Sequence, residues 1–180
     1  NWYFQYLPGD GWDYDEIGTH IIIDAETGGG TRRFLTHSSR NGHVYTLDRV
    51  SSQIHLAKPY TYVNWTKGID QKTGKPIDYD PARDVQLYNM KPESLLDKSV
   101  NRICPSITGG TNFWPSTYSR RTGLMYMAAY EGCGAVTTDV TAHVKGKFNG
   151  GNIGAAGAIT SSVSAFDPVT GDIKTKIDFP

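Results

Sequence analysis

The sequence predicts an all-β fold. Three observations carry that prediction: short runs in which apolar and polar residues alternate, turn-forming residues between the runs, and no segment with a sustained helical period. The runs are "WYFQY", "HIIID", "RRFLTH", "HVYTLDR", "QIHLAKPY", "LMYMAAY", "AVTTDVTAHV" and "SSVSAFD". Each is rich in β-branched or aromatic residues, which fit a pleated, half-buried surface, and each is bounded by Gly, Pro, Asn, Asp or Ser. Only "DPARDVQLYNM" could hold a turn or two of helix.

Three segments carry the prediction further. "THSSRNGHVYTLD", "TYSRRTGLMYMAA" and "AFDPVTGDIKTKI" each end a strand, pass through a polar turn with glycine in place (Gly42, Gly123, Gly171), and start another strand. Hairpin turns need positive φ at a central or closing position, which glycine supplies without a Cβ penalty. Repeated hairpins of one kind predict a repeat architecture, and the β-propeller is the all-β repeat built from them. At roughly 40–45 residues per blade, the chain supplies three to four blades. Uneven spacing places insertions between them. The largest runs from about residue 64 to 102, is polar and mixed in charge, and has a clear turn at "DQKTGKP"; "KGKFNGGNIGAAGA" is a second irregular stretch. An arc of blades leaves sheet edges open, so residues 1–180 are expected to form a single segment of a larger propeller, incomplete at both ends.

Charge and hydropathy exclude other classes. Eighteen basic residues balance eighteen acidic ones, so no basic surface for nucleic acid is implied. No apolar run approaches the roughly 20 residues a membrane helix needs. Cys104 and Cys133 stand too far apart for a CxxC redox or zinc motif. Two free thiols and one structural disulfide both remain open on composition.

"GDGWDYDEIGTH" holds the densest candidate chemistry. In an extended chain, side chains at i and i+2 point to one side, which would set Asp13 and Asp15 next to each other. Two like charges that close repel unless a cation sits between them, and a hard, oxygen-liganded metal is the natural occupant. A solvated turn with two exposed carboxylates is the alternative. An EF-hand is excluded, because Ile17 and Asp24 fall where that loop needs a polar oxygen and a bidentate Glu. Arg40 ends a strand just before its turn glycine, and Asn112 follows a glycine pair in "GGTNFWPS". Taken singly these are a surface arginine and an Asx turn.

Together, "NWYFQYLPGDGWDYDEIGTH", "LTHSSRNGHVYTLDR", "GIDQKTGKPI", "CPSITGGTNFWPSTYSRRTGLMYMAAYEGCG" and "AFDPVTGD" closely resemble the quinoprotein alcohol and methanol dehydrogenases, in order and over nearly the whole chain. These enzymes carry pyrroloquinoline quinone (PQQ) and a metal ion in an eight-bladed propeller. The resemblance implies a segment from the middle of that ring. The family's vicinal cysteine pair, the tryptophan beneath the quinone, and its Glu and Asn metal ligands have no counterpart in residues 1–180.

The resemblance also implies roles. Asp13 matches the catalytic base beside the metal, and Asp15 the second acidic position of the motif. An aspartate there is found in lanthanide-dependent members, whereas calcium-dependent members carry a small or neutral residue. A trivalent ion takes more oxygen donors than most calcium sites offer, so a lanthanide is expected, with calcium as the runner-up. Arg40 matches a basic residue reaching the quinone oxygens, and Asn112 an amide at the quinone's edge. Cys104 and Cys133 match a structural disulfide. A small primary alcohol as substrate, a c-type cytochrome as electron acceptor and a periplasmic location are what the family implies. The competing expectation is a non-catalytic propeller, a scaffold or binding module, since fold alone does not assign function.

Overall fold

In the computed structural model of the chain, residues 1–84, 86, 88, 100–137, 144–147 and 152–179 are described. They form eleven strands: β1 His20–Thr27, β2 Gly30–Ser38, β3 His43–Asp48, β4 Ile54–Pro59, β5 Val100–Ile103, β6 Thr117–Ser119, β7 Leu124–Glu131, β8 Gly134–Thr137, β9 Asn152–Ala155, β10 Thr160–Phe166 and β11 Ile173–Phe179. All pairings are antiparallel. β1-β2-β3-β4 is a four-stranded meander, and β11-β10-β7-β6 is a second four-stranded sheet. Both have the form of propeller blades. A smaller sheet, β5-β8-β9, joins a strand near the end of the first insertion to β8, at the start of "AVTTDVTAHV", and to β9, within the second irregular stretch. The "NIGA" stretch, expected to be irregular, is therefore a strand, paired through Val136 and Ile153. The short helix allowed for in "DPARDVQLYNM" is not formed: residues 80–84, 86 and 88 are turn and irregular chain, and the rest of the stretch lies outside the described residues.

Period-two alternation explains how the first blade is held. In β3, Val44 faces a cluster with Leu56, Tyr60, Met125, Met127 and Phe166, which fills the space between the two four-stranded sheets. Its neighbour Tyr45 faces the opposite way, into a cluster with Tyr6, Trp12, Tyr14, Ala57, Trp65, Tyr88 and Ile103. Both faces of β3 are thus buried, which is why "HVYTL" is apolar on both sides. A polar contact crosses the inter-blade space as well, from the β2–β3 pair of the first sheet to the β10–β11 turn of the second. The Thr36 and Thr46 hydroxyls lie 3.1 Å apart, and Thr46 Oγ1 donates to the Pro168 carbonyl at 2.8 Å.

The turns divide into two kinds where the sequence shows one. Gly123 N–H donates to Ser119 O and Gly171 N–H to Asp167 O, each closing a five-residue loop with left-handed glycine. Asp70 to Gly74 closes in the same way, and Asp48 to Ser52 does so with a left-handed serine. In three of these the leading Asp Oδ1 accepts the two N–H groups that follow within the turn. The Gly42 turn is tighter: its N–H donates to Ser39 O at 3.1 Å. A Cβ at Gly42 would stand 2.7 Å from Val63 Cγ2, so that position excludes any side chain.

Cys104 and Cys133 form a disulfide with Cα atoms 4.3 Å apart. Ile103 pairs with Gly134, so the bridge sits one rung beyond the β5–β8 ladder. It closes a loop with a sequence separation of 29. Replacing both cysteines with alanine in the complete protein is expected to lower stability by about 3–4 kcal/mol, read as a lower urea midpoint. An unchanged midpoint would contradict a stabilising role.

Candidate active site

The segment expected to be extended around residues 12–16 is instead a tight loop. Asp10 builds it. Its Oδ1 accepts the Trp12 N–H at 2.8 Å and its Oδ2 the Tyr14 N–H at 2.6 Å. Between those two donors, Asp13 adopts φ +61°, a left-handed conformation that a non-glycine residue rarely takes. The aromatic neighbours anchor the loop from below. Trp12 Nε1 donates to Tyr88 O at 3.1 Å, the Tyr14 hydroxyl donates to Pro105 O, and both rings are buried. Burial raises the Asp10 carboxyl above its ordinary range against the opposing pull of these two N–H groups, and nearby Asp15 and Asp13 raise it further.

Trp12 and Tyr14 point inward while Asp13 and Asp15 point outward. Both carboxylates are therefore exposed, but the extended backbone expected to set them next to each other is absent. Asp15 has no hydrogen-bond or ion-pair partner among the described residues. It lines a cavity of about 400 Å³ with Tyr6, Asp10, Glu16 and His20. No group of three or more His, Cys, Asp or Glu able to hold a metal ion occurs among the described residues. Asp13 and Asp15 can supply two oxygen-donor side chains to a hard cation, and its other ligands would have to come from elsewhere.

Arg40 lies across from this loop at the tip of the β2–β3 hairpin. Its Nη2 is 3.5 Å from Asp13 Oδ2, with the arginine side chain 10% exposed and the aspartate 63%. The same Nη2 donates to Ile107 O at 2.6 Å, whereas the buried Nε has no hydrogen-bond partner among the described residues. An unpaired buried guanidinium N–H is costly, so this edge of Arg40 fits an acceptor oxygen of a bound group. The hairpin tip holds Arg40 firmly. Asn41 Nδ2 reaches Tyr6 O and Tyr45 Oη, Trp65 Nε1 donates to Asn41 O at 2.7 Å, and Gly110 N–H donates to Arg40 O at 2.9 Å. At Gly109, φ +90°, a Cβ would lie 3.0 Å from Arg40 Cβ and 2.4 Å from Thr111 O.

Asn112 stands in the same loop region, and its backbone oxygen lies near Gly18. Its Nδ2 donates to Thr108 O at 2.7 Å and its Oδ1 accepts the Phe113 N–H at 2.9 Å. The side chain thus shapes its own turn, and one amide N–H remains for another acceptor. Asp13 and Arg40 meet directly; Asn112 belongs to the 104–116 loop that packs on Arg40 but makes no hydrogen bond to it.

Two carboxylates escaped the sequence reading. One is Asp10, which "PGDG" marks only as a turn residue. The other is Glu16, which bonds His37 Nε2 and the Ser39 hydroxyl, while His37 Nδ1 bonds Thr19 O at 3.1 Å. His37 is fully buried and stacks on His20, ring centroids 4.1 Å apart at 3°. No local pattern pairs residues 16 and 37.

No family model matches the chain. Curated relatives do. It is 34% identical over 132 residues to the lanthanide-dependent methanol dehydrogenase of Methylacidiphilum fumariolicum (strain SolV), covering 73% of this chain and 20% of that protein. It is 36% identical over 130 residues to the dehydrogenase subunit of the alcohol dehydrogenase (quinone) of Komagataeibacter europaeus, covering 72% of this chain and 16% of that one. Among solved structures, the quinohemoprotein alcohol dehydrogenase from Comamonas testosteroni superposes with a TM-score of 0.81 at 25% identity, covering 99% of this chain and 27% of that one. A europium-containing methanol dehydrogenase superposes with a TM-score of 0.74 at 27% identity, covering 94% and 29%. The chain therefore spans about a fifth of the length of the curated relatives it matches, and its sheets are part of a propeller of that kind.

Proposed function

Since this chain belongs to the quinoprotein alcohol and methanol dehydrogenase family, we propose that it supplies part of the active site of an enzyme oxidising a primary alcohol to an aldehyde. The observation that carries this reading is the Asp13–Arg40 pair: an outward-facing carboxylate 3.5 Å from a largely buried guanidinium that keeps one N–H unpaired. The bound group would be PQQ with a metal ion, which together supply a hydride acceptor and Lewis-acid polarisation. Asp13 and Asp15 would hold the metal, and Arg40 and Asn112 the quinone.

Within that frame each side chain has a distinct task. Asp13 accepts the hydroxyl proton of the alcohol on a carboxylate oxygen. Arg40 holds a positive charge where negative charge develops on the acceptor, an electrostatic role that works best from a fixed donor. Its contacts to Ile107, Asp13 and the Asn41 turn supply that fixity. Asn112 offers its remaining amide N–H at the edge of the site.

Asp15, an exposed carboxylate two residues from Asp13 with no partner among the described residues, supports a lanthanide over calcium. In the complete protein, Asp15→Ala is expected to reduce lanthanum-supported activity at least about tenfold more than calcium-supported activity, one missing carboxylate being worth about 1.4 kcal/mol or more toward the trivalent ion. Equal losses would remove the argument for a lanthanide. The Cys104–Cys133 bridge supports an oxidising compartment, the periplasm in this family, and a c-type cytochrome is the acceptor this reading implies.

The test of the whole reading is dye-linked alcohol oxidation by the complete protein, reconstituted with PQQ and either lanthanum or calcium. Activity with lanthanum alone supports the full assignment. Activity with calcium alone keeps the enzyme and overturns the metal. Inactivity with both favours a non-catalytic propeller.

A further inference from the structure

We propose that Asp10 is a positioning residue for Asp13, a role that rests on the reading of Asp13 as the base. Three observations meet here. Asp10 accepts the N–H groups of Trp12 and Tyr14, the residues on either side of Asp13, one on each carboxylate oxygen. Asp13 between them is held left-handed at φ +61°. Its carboxylate, turned outward by that conformation, comes within 3.5 Å of Arg40 Nη2.

Left alone, a non-glycine residue leaves the left-handed region for an α or β conformation. Two charge-assisted N–H bonds to one carboxylate, each roughly twice as strong as a neutral one, are enough to oppose that return. A neutral acceptor on a single bond is not. The anchoring of the Trp12 and Tyr14 rings leaves the intervening backbone as the part of the loop able to rotate. Asp10 is itself fixed from the other side. Gly9 has φ +63°, and a Cβ there would meet Gln86 Cγ at 2.8 Å. The carboxylate of Asp10 therefore acts through the peptide groups flanking Asp13 and not by touching a substrate.

Asp10→Asn is the variant to make in the complete protein, because it preserves size and one acceptor oxygen but turns an N–H toward the second donor. A crystal structure of the variant is expected to show residue 13 outside the left-handed region and its carboxylate separated from Arg40. Reconstituted activity is expected to fall about 10²-fold in kcat, the usual cost of displacing a reacting group by about 1 Å, with KM within about twofold. In an Asp13→Asn background, the same substitution is expected to change the residual rate by less than about twofold, because residues acting as one unit do not add. A variant structure with residue 13 still left-handed and facing Arg40 would overturn the proposal. So would equal fractional losses in both backgrounds, which would mean that Asp10 supports the fold and nothing more specific. Should Asp10→Asn not fold, Asp10→Ser, which keeps a single acceptor, is read in the same way. Failure of the base assignment shows separately, as full activity in Asp13→Asn alone, and leaves the structural readout of Asp10 intact.

Discussion

Asp13→Asn in the complete protein is expected to lower alcohol oxidation by about 10²–10⁴-fold, the range a positioned general base contributes, while leaving the thermal midpoint within a degree or two. The substitution suits the question because of where Asp13 sits. Asparagine is the same size and, like aspartate, tolerates the left-handed conformation that this position adopts. The two N–H groups flanking it remain bonded to Asp10. The loop therefore persists, and only the basic oxygen is lost, together with the charge opposite Arg40. The ion pair is 3.5 Å long with an aspartate that is 63% exposed, so its own contribution to stability is small. A variant that oxidises alcohol at the parent rate would remove Asp13 from the mechanism.

The second large effect concerns stability and comes from a residue to which no chemical role is assigned. Glu16→Ala is expected to cost the complete protein about 3 kcal/mol, seen as a clear drop in urea midpoint. His37 is fully buried, and its Nε2 is bonded to Glu16, as is the Ser39 hydroxyl. Truncation leaves both groups in the interior without that partner, and an unsatisfied buried polar group costs more than the net value of the bond it lost. Glu16→Gln retains an acceptor oxygen and is expected to lose clearly less. Equal midpoints for the parent and the alanine variant would show that the cluster is dispensable. Because Ser39 precedes Arg40, the same contact also holds the 9–19 loop against the hairpin tip.

What could be read from the sequence follows the range of the interactions involved. Strand identities in "HIIID", "HVYTLD" and "SSVSAF" depend on alternation within a few residues, and they are strands β1, β3 and β10. Left-handed glycines at 42, 123 and 171 depend on local turn chemistry and occur as expected. The disulfide was open on composition, and only the family resemblance selected it. The Asp13 conformation was not legible, because Asp10 imposes it through two backbone donors, and a DxD pattern read as extended chain contains no sign of that. Likewise Arg40 was visible as a hairpin residue, but its contact with Ile107 spans 67 positions and Tyr14 reaches Pro105 across 91. Those contacts bring the 104–116 loop against the 9–19 loop. Fold elements were encoded nearby; the site was assembled from afar.

The left-handed backbone at Asp13 also bears on the history of the position. For stability alone, glycine is the better residue at φ +61°, and a lineage under no pressure except folding would drift toward it. An aspartate proposed as the base is held there against that drift by its carboxylate. With Asp13 as the proposed base, position 13 is a point where stability and chemistry favour different residues.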